Sequence, residues 1–228
     1  ARPLLREAFR GTSCHATVSV DDMDSSVAGG PFLWAQHARA QLLMVDLARG
    51  IVVAEHDGYE RLQDPVTHRR AVVALEDGSV LVVDVLLAAG RHRYSQRWPL
   101  HPSLELEACS AERVVAVAEE TGVGLVLRFP PGESTLVASA RGVAEPPIGW
   151  WSERLESVSP SWLVSVDAEV SGPFEIVTLV TPFEKKMPGD VQLEASATSA
   201  GTRIELGGPR RRRTIEVDLR STPVRVES

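Results

Sequence analysis

With 228 residues, 43% of them hydrophobic, the chain is long enough to bury a sizeable core, and a disordered chain is excluded. A net charge of −7 gives no support for wholesale attraction to nucleic acid or to an anionic membrane, although charge can be uneven locally. No apolar run reaches the ~18 residues that a membrane span needs. Lys185 and Lys186 are the only lysines among the basic residues, a bias we read as codon usage before chemistry. Cys14 and Cys109 could pair, but two cysteines make no disulfide framework. The opening Ala-Arg-Pro carries neither an initiator methionine nor a signal-like apolar run, so a piece or a processed form of a longer protein is expected.

Nearly every periodic segment has period two. Strands are expected at 14–20, 39–47, 50–55, 69–75, 79–87, 91–98, 112–118, 123–129, 134–139, 161–170, 173–180, 202–206 and 213–219. In the first, Cys14, Ala16, Val18 and Val20 form the core side and His15, Thr17 and Ser19 the opposite one, so His15 points away from the core before the acidic turn at Asp21. By spacing alone a surface histidine is the plainer reading. Asp77-Gly78 signals a two-residue hairpin turn, since glycine accepts the positive φ that such a turn demands. Strand 79–87 is apolar on both faces except at Asp84, which places it centrally with Asp84 as a hydrogen-bonded structural carboxylate.

Strand 91–98 carries His92, Tyr94, Gln96 and Trp98 on one face and Arg91, Arg93, Ser95 and Arg97 on the other. The first face suits stacking on sugar rings and the second suits carboxylates or sulfates, against a plainer reading of Trp98 packing and a solvated arginine face. Alternation is clearest in Trp162 to Val170 and Ile215 to Leu219, as in antiparallel sandwiches. Arg210 to Arg213 is read as a solvated hairpin tip. With no repeat and no low-complexity linker, residues 1–228 are expected to form a single domain, an all-β, large antiparallel multi-stranded β-sandwich. Phosphate-binding Gly-rich loops, Cys-x-x-Cys pairs, His-Glu-x-x-His and nucleophile elbows are all absent.

Four stretches in order resemble the C-terminal β-sandwich of the heparinase II/III-like polysaccharide lyases: Cys14 to Asp21, Gly30 to Trp34, Glu55 to Tyr59 running on to Pro65 to Arg70, and Leu81 to Leu86 followed by Gly90 to Tyr94. Gly149 to Ser152 and Leu179 to Pro182 fit the closing strands more loosely. The resemblance implies a supersandwich-like fold, a bacterial, secreted enzyme in the periplasm or outside the cell, and an N-terminal α/α toroid, absent here, that holds most catalytic groups. The implied reaction is β-elimination on an acidic, uronic-acid-containing polysaccharide such as heparin, heparan or alginate. His15 matches the histidine that the sandwich lends to such a site, and Tyr59, His92, Tyr94 and Trp98 are the expected sugar-contacting side chains.

Some relatives carry a structural metal with one ligand two residues after that histidine, an aspartate about twenty further on, and a histidine near His56. Here Thr17 takes the first place and no aspartate lies between Asp24 and Asp46, so His56 is the one remnant and no cofactor is expected. His101 stands off the place where relatives carry Trp-His, and no role is assigned to it. The alternative from another class is a non-catalytic carbohydrate-binding or surface-recognition module, for which the face of strand 91–98 is the discriminating feature.

Overall fold

Alternating β-branched and aliphatic residues fold here as antiparallel strands in three large stacked sheets, with two further sheets of two strands each among the described residues. The computed structural model describes residues 3–154, 156–199, 201–208 and 212–227. The middle sheet has eight strands, in the spatial order Ala40–Asp46, Ile51–Tyr59, Val66–Ala74, Val80–Leu87, Phe174–Glu184, Val123–Arg128, Arg113–Ala118 and Glu105–Cys109. The first sheet has the order Val18–Val20, Arg91–Pro99, Trp162–Ser171 and Leu136–Arg141. The third runs through Gln192–Thr198, Gly201–Gly207, Arg212–Asp218 and Arg225–Glu227 in chain order.

The middle sheet is covered on both faces, so it gains apolar burial twice. Leu81, Val83 and Val85 pack with Leu193, Ile204, Ile215 and Val217 of the third sheet. Leu86 and Ile176 pack with Val18, Tyr94, Val164 and Val166 of the first. Period two then turns Asp84 toward the first sheet, where it is fully buried. Strand Val80–Leu87 is central, as its two apolar faces require.

Several elements depart from the sequence reading. Only Val18–Val20 of the expected strand 14–20 pairs as a strand, because Thr12–Cys14 forms a 3-10 turn. Ala16 is therefore exposed and Ser19 buried, so His15 faces solvent through a turn and not through strand alternation. The hairpin at Asp77-Gly78 has three loop residues: Leu75 N–H bonds Ser79 O at 2.8 Å, Gly78 N–H bonds Leu75 O at 3.0 Å, and Gly78 takes φ +83°. Helix Pro3–Arg10, hairpin Val27–Gly30 with Leu33–Gln36, and strands Glu105–Cys109, Gln192–Thr198 and Arg225–Glu227 were not expected. Cys14 and Cys109 are both free. Arg210 and Arg211 lie outside the described residues, while Arg212 opens a strand and pairs with Glu205.

Candidate active site

His15 caps the C-terminal end of the 3-10 turn, with its N–H bonded to Thr12 O at 3.1 Å. The turn is fixed from one side by Asp24, whose Oδ1 accepts the Thr12 N–H at 2.6 Å, and Ser25 N–H donates back to Thr12 Oγ1 at 2.8 Å. Gly11 suits this close approach, since a Cβ there would lie 3.0 Å from Asp24 Oδ1. His15 Nδ1 sits 2.8 Å from Gly11 O. A carbonyl only accepts, so Nδ1 carries the proton and donates, and Nε2 is left without a partner among the described residues, on an exposed ring. A free imidazole nitrogen held in one orientation can move a proton or meet a carboxylate.

From beneath, the turn is held by a buried polar network between the first and middle sheets. Arg70 Nη1 donates to Ala16 O, next to His15, at 2.5 Å. The same guanidinium grips Asp84 bidentately, Nε to Oδ1 at 2.7 Å and Nη2 to Oδ2 at 2.8 Å. Asp84 also accepts from His68 Nε2 at 2.6 Å and Gln96 Nε2 at 2.7 Å, so both oxygens are fully used. Gln96 Oε1 in turn accepts from Thr178 Oγ1 and from the Trp98 indole, each at 2.8 Å. Burial alone would raise the Asp84 pKa, but the Arg70 charge and the hydrogen bonds from His68 and Arg70 outweigh it and hold the carboxyl well below the usual range.

The network continues outward to His56. Gly58 N–H donates to His56 Nδ1 at 3.2 Å, which puts the His56 proton on Nε2, 2.9 Å from His68 Nδ1; the His68 proton then points at Asp84. Every ring nitrogen is matched. Burial, then the neighbouring His68, push the His56 pKa down to about 4. This donor set does not fit the metal implied by resemblance. Both His56 nitrogens are engaged, Thr17 offers no strong ligand, and no group of three or more His, Cys, Asp or Glu with metal-holding geometry occurs among the described residues.

The expected sugar-contacting residues are placed differently. Tyr59 is fully buried and its hydroxyl donates to Val18 O at 2.9 Å, pinning the strand that follows the His15 turn. His92 is 4% exposed, with Nδ1 2.7 Å from Asp21 Oδ2 and Nε2 3.1 Å from Asp64 Oδ2, a brace between two loops. Tyr94 is fully buried and stacks on Phe174 with ring centroids 6.0 Å apart. Burial, with Asp21 and Asp64 nearby, pushes its pKa up to about 12. Trp98 is half-buried with its indole N–H spent on Gln96. This face of strand Arg91–Pro99 is thus core, because the middle sheet lies over it, and it offers no platform for sugar stacking. His101 packs edge-on against Trp151 with centroids 5.2 Å apart.

A cleft of about 680 Å³ opens near the His15 turn, lined mostly by residues that the sequence did not single out. Arg6, Arg10, Arg61 and Trp34 line it together with Gly11, whose carbonyl holds His15. Arg10 lies over the Trp34 ring at 4.5 Å and donates to Leu33 O at 2.9 Å, so helix Pro3–Arg10 clasps the unexpected hairpin. Guanidinium groups beside an indole suit an acidic sugar, although Glu7, Asp22 and Asp24 also face this cleft. The stretch Gly30 to Trp34 carried part of the signal, and the helix was marked only by Pro3 at its start and by Arg10-Gly11 at its end, a short pattern that the period-two reading passes over.

The family described as Heparinase II/III-like, C-terminal, matches residues 1–204. No curated protein sequence matches the chain. Among solved structures, a heparan sulfate lyase HepC mutant from Pedobacter heparinus is similar at TM-score 0.72 and 14% identity, over 94% of this chain and 32% of that one. A heparinase III is similar at TM-score 0.72 and 16% identity, over 92% of this chain and 30% of that one. At such identity the likeness shows the fold, and the chain spans about a third of those proteins, 32% and 30%. Together, the three-sheet sandwich and the match over residues 1–204 establish that the chain belongs to the heparinase II/III-like C-terminal family.

Proposed function

We propose that this chain is the C-terminal sandwich of a longer polysaccharide lyase that cleaves uronic-acid-containing polymers by β-elimination, and that His15 is its contribution to the active site. In that reaction a base removes the proton beside the uronic carboxylate, the electron pair forms a carbon–carbon double bond, and the bond to the glycosidic oxygen breaks as that oxygen is protonated. Positioned proton transfer contributes typically ~10² to 10⁴ in rate, and stabilising the developing charge is usually the larger contribution. The observation that carries the reading is the His15 turn. It is tied to Asp24 and Arg70, presents a free Nε2, and adjoins a cleft lined by Arg6, Arg10 and Arg61 within a family-matched segment.

The test compares the full-length protein with the 228-residue chain on heparan, alginate and hyaluronan, following unsaturated products by ultraviolet absorbance. The full-length protein is expected to release them from at least one polymer. The chain alone is expected to be inactive, because one imidazole lacks the partners that orient substrate, a contribution worth ~7 to 11 kcal/mol in well-oriented systems. Unsaturated product from the chain alone, or none from the full-length protein on any uronic polymer, would overturn the reading.

A further inference from the structure

On the middle sheet, away from the His15 turn, the register sets Arg113 directly opposite Arg128. Like charges in that position repel, since cross-strand side chains stand about 5 Å apart. Arg128 is also only 3% exposed. Its Nη2 reaches Gly189 O at 3.2 Å, but Nε and Nη1 are buried with no hydrogen-bond partner among the described residues, as is Nε of Arg113. The nearest carboxylate, Asp190, is 4.0 Å away, outside hydrogen-bond range, and its side chain is 88% exposed. Burial, then the Arg113 charge, lower the Arg128 pKa. A buried cation left with unpaired donors is costly, and an anion in reach of those donors offsets that cost.

Both arginines line an open pocket of about 440 Å³, together with Ser110, Phe129, Pro131 and the segment that enters the third sheet. Its volume is ample for one small oxyanion. Glu112, Asp190 and Glu194 also line it but are exposed, so they mark the rim and disfavour a densely charged ligand relative to a single anionic group.

We infer that the Arg113–Arg128 cavity is an anion-binding site for one oxyanion, a sulfate or carboxylate group, held by the unpaired guanidinium donors. The site does not depend on the lyase reading; only its source does, either a free ion or a group on a uronic or sulfated sugar.

Isothermal titration of the chain with sodium sulfate tests it, with sodium chloride at matched ionic strength as the control and a sulfated uronic disaccharide as the second arm. Saturable one-site sulfate binding is expected, weakened about tenfold or more by Arg113→Gln, as loss of a charge-assisted hydrogen bond does. Arg128→Met is expected to abolish it while melting no lower than wild type in sulfate-free buffer, since it removes an uncompensated buried charge. Should Arg128→Met fail to fold, the inference stands or falls on Arg113→Gln. Binding of the disaccharide at least as tight as sulfate assigns the site to sugar, and binding of sulfate alone assigns it to a free ion. No saturable binding, or wild-type affinity in Arg113→Gln, overturns the inference whatever the full-length protein does to polysaccharides.

Discussion

Replacing Asp84 by asparagine changes one atom and no volume, yet the structure makes it a severe substitution. Oδ1 accepts from His68 Nε2 and Arg70 Nε, and Oδ2 accepts from Arg70 Nη2 and Gln96 Nε2. An asparagine amide has one oxygen. Whichever way it turns, its NH₂ meets two donors head-on, and Arg70 loses its counter-ion while mostly buried. Breaking a buried pair by neutralising one partner costs about 3 to 5 kcal/mol. That is a large share of the ~5 to 15 kcal/mol by which domains are stable. Urea unfolding of the chain at pH 7, with wild type and Asp84→Asn compared at equal m-value, measures the loss. A loss below about 1 kcal/mol would refute the assignment of four donors to this carboxylate.

Three further outcomes follow from the same geometry. With its pKa at about 4 in the fold, below the ordinary histidine value of 6.5, His56 binds a proton more readily unfolded, so stability should fall as pH drops from about 6.5 to about 4, by on the order of 2 kcal/mol. Asp84, depressed in the fold, adds a further loss below the ordinary carboxylate pKa near 4; His56→Gln should remove the first phase and leave the second, and urea midpoints flat from pH 7 to pH 4.5 would contradict the His56 environment. Tyr59→Phe should cost about 1 kcal/mol by freeing Val18 O, whereas Tyr94→Phe, whose hydroxyl has no partner among the described residues, should be neutral or mildly stabilising; equal losses would contradict these placements.

The layers were legible because their strands obey period two under burial on one or both faces, as Val80–Leu87 and Trp162–Ser171 show. What was not legible depends on contacts between distant segments. The His15 turn breaks the strand pattern because Thr12 is captured by Asp24, and no local signal marks that capture. His92, Tyr94 and Gln96 read as a polar aromatic face because a sequence does not show which layer covers a strand; the covering sheet supplies Asp84 and Thr178 as partners for Gln96. Asp84 was anticipated as a bonded structural carboxylate, but its link through Arg70 to the backbone beside His15 requires the register Arg70 opposite Asp84. Arg128 gave no signal at all, since an arginine ending a strand is ordinarily solvated.

The most direct test of the account is turnover of the full-length protein carrying His15→Ala, measured on whichever uronic polymer the wild type cleaves and paired with a thermal melt. His15 is exposed and its ring makes a single hydrogen bond among the described residues, to Gly11 O, so the melt should move little. Activity should fall by ~10² or more, as loss of a positioned proton-transfer or charge-stabilising group does. Near-normal turnover with an unchanged melt would contradict a role for His15 in the chemistry, and a collapsed melting temperature would make the residue structural instead.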